Sequence, residues 1–114
     1  MPETIVYNMI MKTLMKEYII KETEIYTSWF NSLKGKNAKV SIGKRIDRMK
    51  DGNFGDYKPL KGVSNIFELR IDYGLGYRVY FKKRGNEIII LLCGGVKKSQ
   101  TRDIEKAKII ASEV

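Results

Sequence analysis

Histidine is absent from this 114-residue chain, and cysteine occurs once. Without histidine the chain lacks the usual neutral-pH acid–base group and most zinc ligand sets. Scattered carboxylates and one thiol make no metal site, so neither a metal nor a cofactor is expected. Cys93 lies in an apolar run and has no partner for an intramolecular disulfide, which reads as a small core residue. No stretch approaches the roughly 18 apolar residues of a membrane span, and no signal peptide is evident. These absences point to a cytoplasmic protein with no membrane partner. Acidic residues are also in deficit, 13 against 22 Lys plus Arg, giving a net charge of +9 and a pI near 9.7. Such an excess favours a polyanionic partner. At this length the chain holds one core.

What is present centres on Asn65–Val96. Apolar and charged residues alternate in Phe67–Asp72 and again in Tyr77–Lys82, the period of half-buried strands. Ile88–Cys93 is apolar throughout, as in a strand covered on both faces. Gly74, Gly76 and Gly85-Asn86 mark the turns. Three successive antiparallel strands follow. Keeping Phe67, Leu69 and Ile71 on one face with Tyr77, Val79 and Phe81 requires paired residue numbers to sum to an even value. Two registers satisfy this: Arg70 opposite Arg78 with Glu68 opposite Tyr80, or Arg70 opposite Tyr80 with Asp72 opposite Arg78. Both gather Arg70, Arg78, Tyr80 and Glu68 on one face. Two guanidiniums so close repel unless carboxylates or a bound anion intervene. The alternative is a solvated face balanced by Glu68 and Asp72.

Before the hairpins, Glu17–Lys21 reads as a short strand. Thr23 is placed to cap a helix carrying Ile25, Trp29 and Leu33, with Gly35 ending it. Trp29 reads as a core anchor. Asn37 is placed to cap a second helix with Ala38, Ile42, Ile46 and Met49 as its stripe and Gly52 as its stop. Arg45, Arg48 and nearby lysines lie off that stripe and form the most positive region, a candidate binding surface. Gly52–Leu60 reads as a turn-rich loop in which Pro59 aims Lys58. Gly94-Gly95 should break the last strand. Lys97 and Lys98 then precede a helix capped by Ser99 or Thr101, with Ile104, Ala107, Ala111 and Val114 as its apolar side. Glycines, cations and a helix start can together hold a phosphate, although no Walker motif is present. The expected fold is α+β: two N-terminal helices on one face of a small, mainly antiparallel twisted sheet of about four strands, then a C-terminal helix. The opposite sheet face should present the basic residues. Residues 1–16 read either as an N-terminal extension rich in methionine, dispensable for folding, or as an extra helix with Ile5, Val6, Met9, Ile10 and Leu14 as a loose apolar stripe; 17–114 reads as the domain.

The runs E-L-R-I-D-Y-G-L-G-Y-R-V-Y-F and I-I-L-L-C-G-G-V-K-K-S-Q-T-R-D-I-E-K-A-K resemble the RelE/ParE toxin superfamily, and within it the HigB-like addiction-module killer proteins. W-F-N-S-L-K and R-I-D-R-M-K-D-G-N-F-G-D-Y-K-P-L fit the same branch. The resemblance implies the toxin of a type II toxin–antitoxin system, a metal-independent endoribonuclease that cuts messenger RNA on the ribosome and so inhibits translation. It also admits a non-enzymatic toxin of the ParE kind that inhibits DNA gyrase by binding; a non-toxic nucleic-acid-binding module is a third reading. It implies catalytic roles for Arg70, Arg78, Lys97 or Lys98, with Glu68 as a base or as a partner for Arg70. Lys58, Arg45, Arg48, Tyr80 and Gln100 are the candidate RNA or phosphate contacts. The histidines of some HigB toxins are missing, and Gln100 and Asp103 stand near the place of RelE's late tyrosine. The implied partners are a cognate antitoxin, expected to be a small helix-turn-helix protein, and the ribosome with its messenger RNA. Alternation puts Arg78 on a polar face, so Arg78→Ala should cost no more than about 0.5 kcal/mol of stability.

Overall fold

The structure, a computed structural model, describes residues 17–114 and the helical position Ile10; the extension at residues 1–16 otherwise lies outside the described residues. The chain runs β1 (Ile19–Glu22), α1 (Glu24–Ser32), α2 (Lys36–Lys50), β2 (Tyr57–Pro59), β3 (Ile66–Ile71), β4 (Tyr77–Arg84), β5 (Ile88–Val96), a 3₁₀ turn (Lys97–Ser99) and α3 (Gln100–Glu113). The sheet has five strands in the order β1-β5-β4-β3-β2. β1 is parallel to β5, and every other pairing is antiparallel. The α+β class therefore stands, but the sheet is mixed and has one strand more than expected. The addition is β2, a three-residue edge strand inside the turn-rich segment, with Tyr57 opposite Leu69, Lys58 opposite Glu68 and Pro59 opposite Phe67. Proline is tolerated there because an edge strand need not donate on both sides.

Local signals place most boundaries. Thr23 caps α1, its Oγ1 accepting from the Tyr26 N–H at 3.1 Å. The same hydroxyl donates to the Leu92 carbonyl at 2.7 Å, which ties the helix start to β5. Gly35 does not end α1, which stops at Ser32; at φ 100° it is the residue before α2, and Asn37 falls inside that helix's first turn. Gly52 does close α2, its N–H donating to the Met49 carbonyl at 3.0 Å. Gly94 and Gly95 do not break β5, which continues through both to Val96.

Both faces of the sheet are covered. Leu69, Ile71, Val79, Phe81, Ile89 and Leu91 meet Tyr26, Ala38, Ile42 and Met49 from α1 and α2. On the other face Tyr80, Ile90, Leu92 and Cys93 meet Ala107, Ile110 and Ala111 from α3. A bulge between Tyr80 and Phe81 in the β4–β5 ladder puts Leu92 and Cys93 in the same cluster. The face expected to present basic residues is thus half roofed by α3, and only its outer end is open. Two alanines allow the close approach, and Ile110 joins the stripe read from the sequence, in which Ile104 and Val114 are half-buried.

Lys82 fastens the far end of α3. Its ammonium donates to the Ala111 carbonyl at 3.0 Å and the Val114 carbonyl at 3.1 Å, two acceptors a helix C-terminus leaves open. Lys82→Met keeps the stem and removes both bonds. A hydrogen bond to a charged group contributes about 1.5–3 kcal/mol, so urea unfolding should show a loss of that size. A midpoint equal to the parent's would mean the clamp contributes nothing.

Candidate functional site

The open end of the α3 face is built from two cross-strand rows. β3 and β4 take the register that sets Glu68 opposite Tyr80 and Arg70 opposite Arg78, the first of the two allowed by the sequence. β2 and β5 extend the first row to Lys58, Glu68, Tyr80 and Cys93. The second row runs Arg70, Arg78, Gly95.

Each arginine has its own carboxylate, which resolves the repulsion of an Arg–Arg pair. Asp56 takes Arg70 on the outer side, where Oδ1 accepts from Nη2 at 2.8 Å and from Nε at 3.1 Å. Arg70 remains 39% exposed. Asp56 is a site neighbour the sequence reading missed; its place in a turn beside Tyr57 gave no periodic signal. Glu68 takes Arg78 on the inner side, with Nε 2.8 Å from Oε1. That contact is an ion pair without hydrogen-bond alignment, because the Arg78 Nε–H has no hydrogen-bond partner among the described residues. Arg78 Nη1 donates to the carbonyls of Gly76 at 3.1 Å and Tyr77 at 3.3 Å.

Glu68 is fully buried and Arg78 only 11% exposed. The expectation that both lie on an open polar face is corrected here, as is the pairing of Glu68 with Arg70. The α3 N-terminus lands on them: Gln100 Nε2 donates to Glu68 Oε1 at 2.8 Å. Lys58 approaches the other oxygen from β2 at 3.9 Å, beyond hydrogen-bonding distance. A base must reach the proton it removes, so a carboxylate sealed under Arg78 and Gln100 serves the arginine instead. Tyr80 is also sealed, its hydroxyl buried without a partner among the described residues. It is not a surface contact for RNA.

Arg45 is structural. Its guanidinium donates to the backbone carbonyls of Arg70, Phe54 and Asp56, pinning the segment before β2 against β3. Burial pulls it below its ordinary pKa, with Asp56 acting in the opposite direction and Arg48 reinforcing the fall. Arg48 itself is exposed on α2. Lys97 and Lys98 are exposed in the 3₁₀ turn. The Lys97 N–H donates to the Gly76 carbonyl at 2.8 Å, so Gly76 joins Lys97 and Arg78 through one oxygen. Arg70, Arg78 and Lys97 therefore share one rim, with Lys58 beside it. Arg48 stands apart on α2, and Arg45 meets the rim only through the backbone carbonyls of Arg70 and Asp56. Ser99 and Asp103 complete the inner wall, the Ser99 hydroxyl donating to the Asp103 carboxylate over Gly95.

Burial governs the titration of the nearby acids. It pushes the Cys93 thiol up to about 12 from 9.0, with Lys106 opposing and Asp103 adding to the rise. Tyr80 is held well above its ordinary 10.0, first by burial and then by Glu68, Asp103 and Cys93, with Arg78 opposing. Tyr26, in the other core, is raised by burial and by Glu22. Between about pH 9 and 12 these groups keep their protons when folded and lose them when unfolded. The native state then binds more protons, so stability falls as pH rises. Melting temperature should drop progressively above pH 9, and a thiol reagent at pH 8 should leave Cys93 unmodified until denaturant is added. A flat alkaline profile would contradict the first expectation, and modification of Cys93 in the native protein the second.

Comparison with known proteins places this geometry. The family described as Phage derived protein Gp49-like (DUF891) matches residues 28–113. The chain belongs to that family. This Gp49-like chain is 50% identical over 95 residues to a protein of Haemophilus influenzae described as uncharacterized, a match covering 83% of this chain and 94% of that one. Among solved structures it resembles an arginine double mutant of E. coli toxin RelE in the free state, at a TM-score of 0.63 and 15% identity over 82% of this chain and 98% of that one. The intact E. coli RelBE toxin–antitoxin complex aligns at a TM-score of 0.57 and 15% identity, covering 69% and 95%. The RelB–RelE antitoxin–toxin complex of Methanococcus jannaschii aligns at 0.50 and 20%, covering 73% and 96%. The Gp49-like chain thus has a RelE-like fold. No helix among its described residues is long and apolar enough to cross a membrane.

Proposed function

We propose that this Gp49-like protein is the toxin of a type II toxin–antitoxin pair, of the HigB-like branch, and that it cuts messenger RNA held on the ribosome. The observation that carries the reading is the cationic rim: Arg70 and Arg78 directly opposed, with Lys97 joined to Arg78 through the Gly76 carbonyl. Its partners would be the ribosome with its message and a cognate antitoxin of the helix-turn-helix kind, acting in the cytoplasm. The solved complexes of RelE-like chains with RelB antitoxins support the expectation of an antitoxin.

Cleavage without a metal makes three demands. The 2′-hydroxyl must lose a proton, the crowded phosphate must be stabilised, and the departing 5′ oxygen must gain a proton. Arg78 suits the second, because a guanidinium stays cationic and matches phosphate oxygens in geometry. Arg70, Lys97 and Lys58 add charge around it. The burial of Glu68 and Tyr80 withdraws both from the proton transfers, and Asp56, the exposed carboxylate beside the rim, is already paired with Arg70. Alignment of the RNA must then carry much of the rate, and proper alignment contributes roughly 7–11 kcal/mol. An open sheet end provides little enclosure of its own, so a ribosomal decoding site would supply it.

The same burial favours one second reading, a toxin that inhibits gyrase by binding alone. The decisive experiment measures cleavage of one labelled message, free and on programmed ribosomes, beside a gyrase supercoiling assay, with Arg78→Lys as control. Fast cleavage only on ribosomes, strongly slowed but still measurable in Arg78→Lys, is expected. Equal cleavage of free RNA would remove the need for the ribosome. Gyrase inhibition without cleavage would establish the binding toxin, and neither activity would leave a nucleic-acid-binding module.

A further inference from the structure

We propose that Glu68 and Gln100 are positioning residues that fix the Arg78 guanidinium and thereby couple the first turn of α3 to the phosphate-binding rim. The argument starts from depth. A fully buried carboxylate is costly unless paired, and Glu68 meets three cationic or donor groups from three different elements. Arg78 Nε lies 2.8 Å away from β4, Gln100 Nε2 donates at 2.8 Å from α3, and Lys58 stands at 3.9 Å from β2. None of these groups is adjacent in sequence to Glu68. The Gln100 bond spans 32 residues and closes the gap between the α3 N-terminus and β3.

Arg78 is in turn held at two of its nitrogens. Nε faces Glu68, and Nη1 is bonded to the Gly76 and Tyr77 carbonyls. Nη2 makes no hydrogen bond with the described residues, which leaves it as the nitrogen able to meet an incoming anion. A guanidinium fixed in this way meets a phosphate without first being ordered, and pre-organised donors contribute most where charge develops. Gln100 has no charge and donates to the same Glu68 oxygen that Arg78 Nε approaches; its role is to hold the carboxylate against Arg78.

The assignment of a rate effect rests on the RNA-cleaving reading above, whereas the geometry does not, and the test separates them. Nitrogen-15 spectra of the arginine side chains should show a slowly exchanging Arg78 Nε–H at neutral pH, identified by its loss in Arg78→Lys. In Gln100→Leu and in Glu68→Gln that signal should shift and broaden, with the Trp29 indole signal on the opposite sheet face unchanged. On programmed ribosomes Gln100→Leu should lower kcat roughly 10- to 100-fold with KM within about twofold, the size of effect that slight misplacement produces. In an Arg78→Lys background the same substitution should cause no further loss, because Gln100 acts only through the guanidinium. An unchanged Arg78 signal in Gln100→Leu, or losses that multiply in the double variant, would overturn the proposal. Should Glu68→Gln fail to fold, Gln100→Leu decides alone. Should the parent not cleave RNA, the functional reading falls and the spectra still decide the positioning role.

Discussion

Arg78→Ala is expected to lower the unfolding free energy by about 3–5 kcal/mol, the range for removing one partner of a buried ion pair. Alternation along β4 suggests a neutral surface change, and the landing of α3 reverses that. The substitution would leave Glu68, fully buried, facing Gln100 and a lysine at 3.9 Å. Against a total stability of about 5–15 kcal/mol this is a large share. Urea unfolding of the parent, Arg78→Ala and the double variant Glu68→Met with Arg78→Met measures it. The double variant should recover much of the loss, since two well-packed apolar groups replace a pair that must be desolvated. A single variant within about 0.5 kcal/mol of the parent would show that Glu68 is hydrated in solution. The result also bears on any growth assay: loss of activity in Arg78→Ala would not separate chemistry from folding, which is why Arg78→Lys is the better probe of the rim.

A methyl group at Gly94 or Gly95 is expected to be nearly as damaging. At Gly94 the new carbon would fall within the Trp29 ring, and at Gly95 onto the Asp103 carboxylate. Neither glycine has a left-handed backbone, so the requirement is for space and not for conformation. Overpacking typically costs about 1–3 kcal/mol and sometimes more. Here α1 must lift from one face, or the 3₁₀ turn and α3 from the other. Gly94→Ala should shift the Trp29 fluorescence and reduce stability; Gly95→Ala should leave Trp29 alone and disturb the Ser99–Asp103 contact. A folded Gly94→Ala protein with the parent's Trp29 spectrum would rule out the steric account.

These two expectations show where sequence reading stops. Alternation in β3 and β4 was legible and narrowed the register to two, because a one-residue slip would turn every apolar side chain outward. The α2 stripe of Ala38, Ile42, Ile46 and Met49 was legible for the same reason. β2 was not, being three exposed residues with no period to detect. The pairing of β1 with β5 was hidden as well, since Ile19 meets Ile88 across most of the chain. The cluster of Glu68, Arg70, Arg78 and Tyr80 on one face could be read from parity, but its depth could not. Depth depends on where another element lands, and α3 lands through two alanines and a buried Asp103, a weak stripe by pattern alone. The paired glycines looked like a strand end because nothing in their neighbours reveals the ring and carboxylate pressed against them.

The parallel pairing of β1 with β5 has a consequence for synthesis. Because Ile19 to Glu22 pair with Ile88 to Leu91, the first strand waits for the last one. Gly95, Lys97 and Gln100, which wall, flank and brace Arg78, follow later still. Non-local pairings of this kind form slowly, and domains fold as their chain is released. A nascent chain therefore carries Arg70 and Arg78 for some time with no complete rim around them. The site assembles only when the chain as far as Gln100 has left the ribosome that makes it, which delays whatever this surface does until the start of α3 has been made.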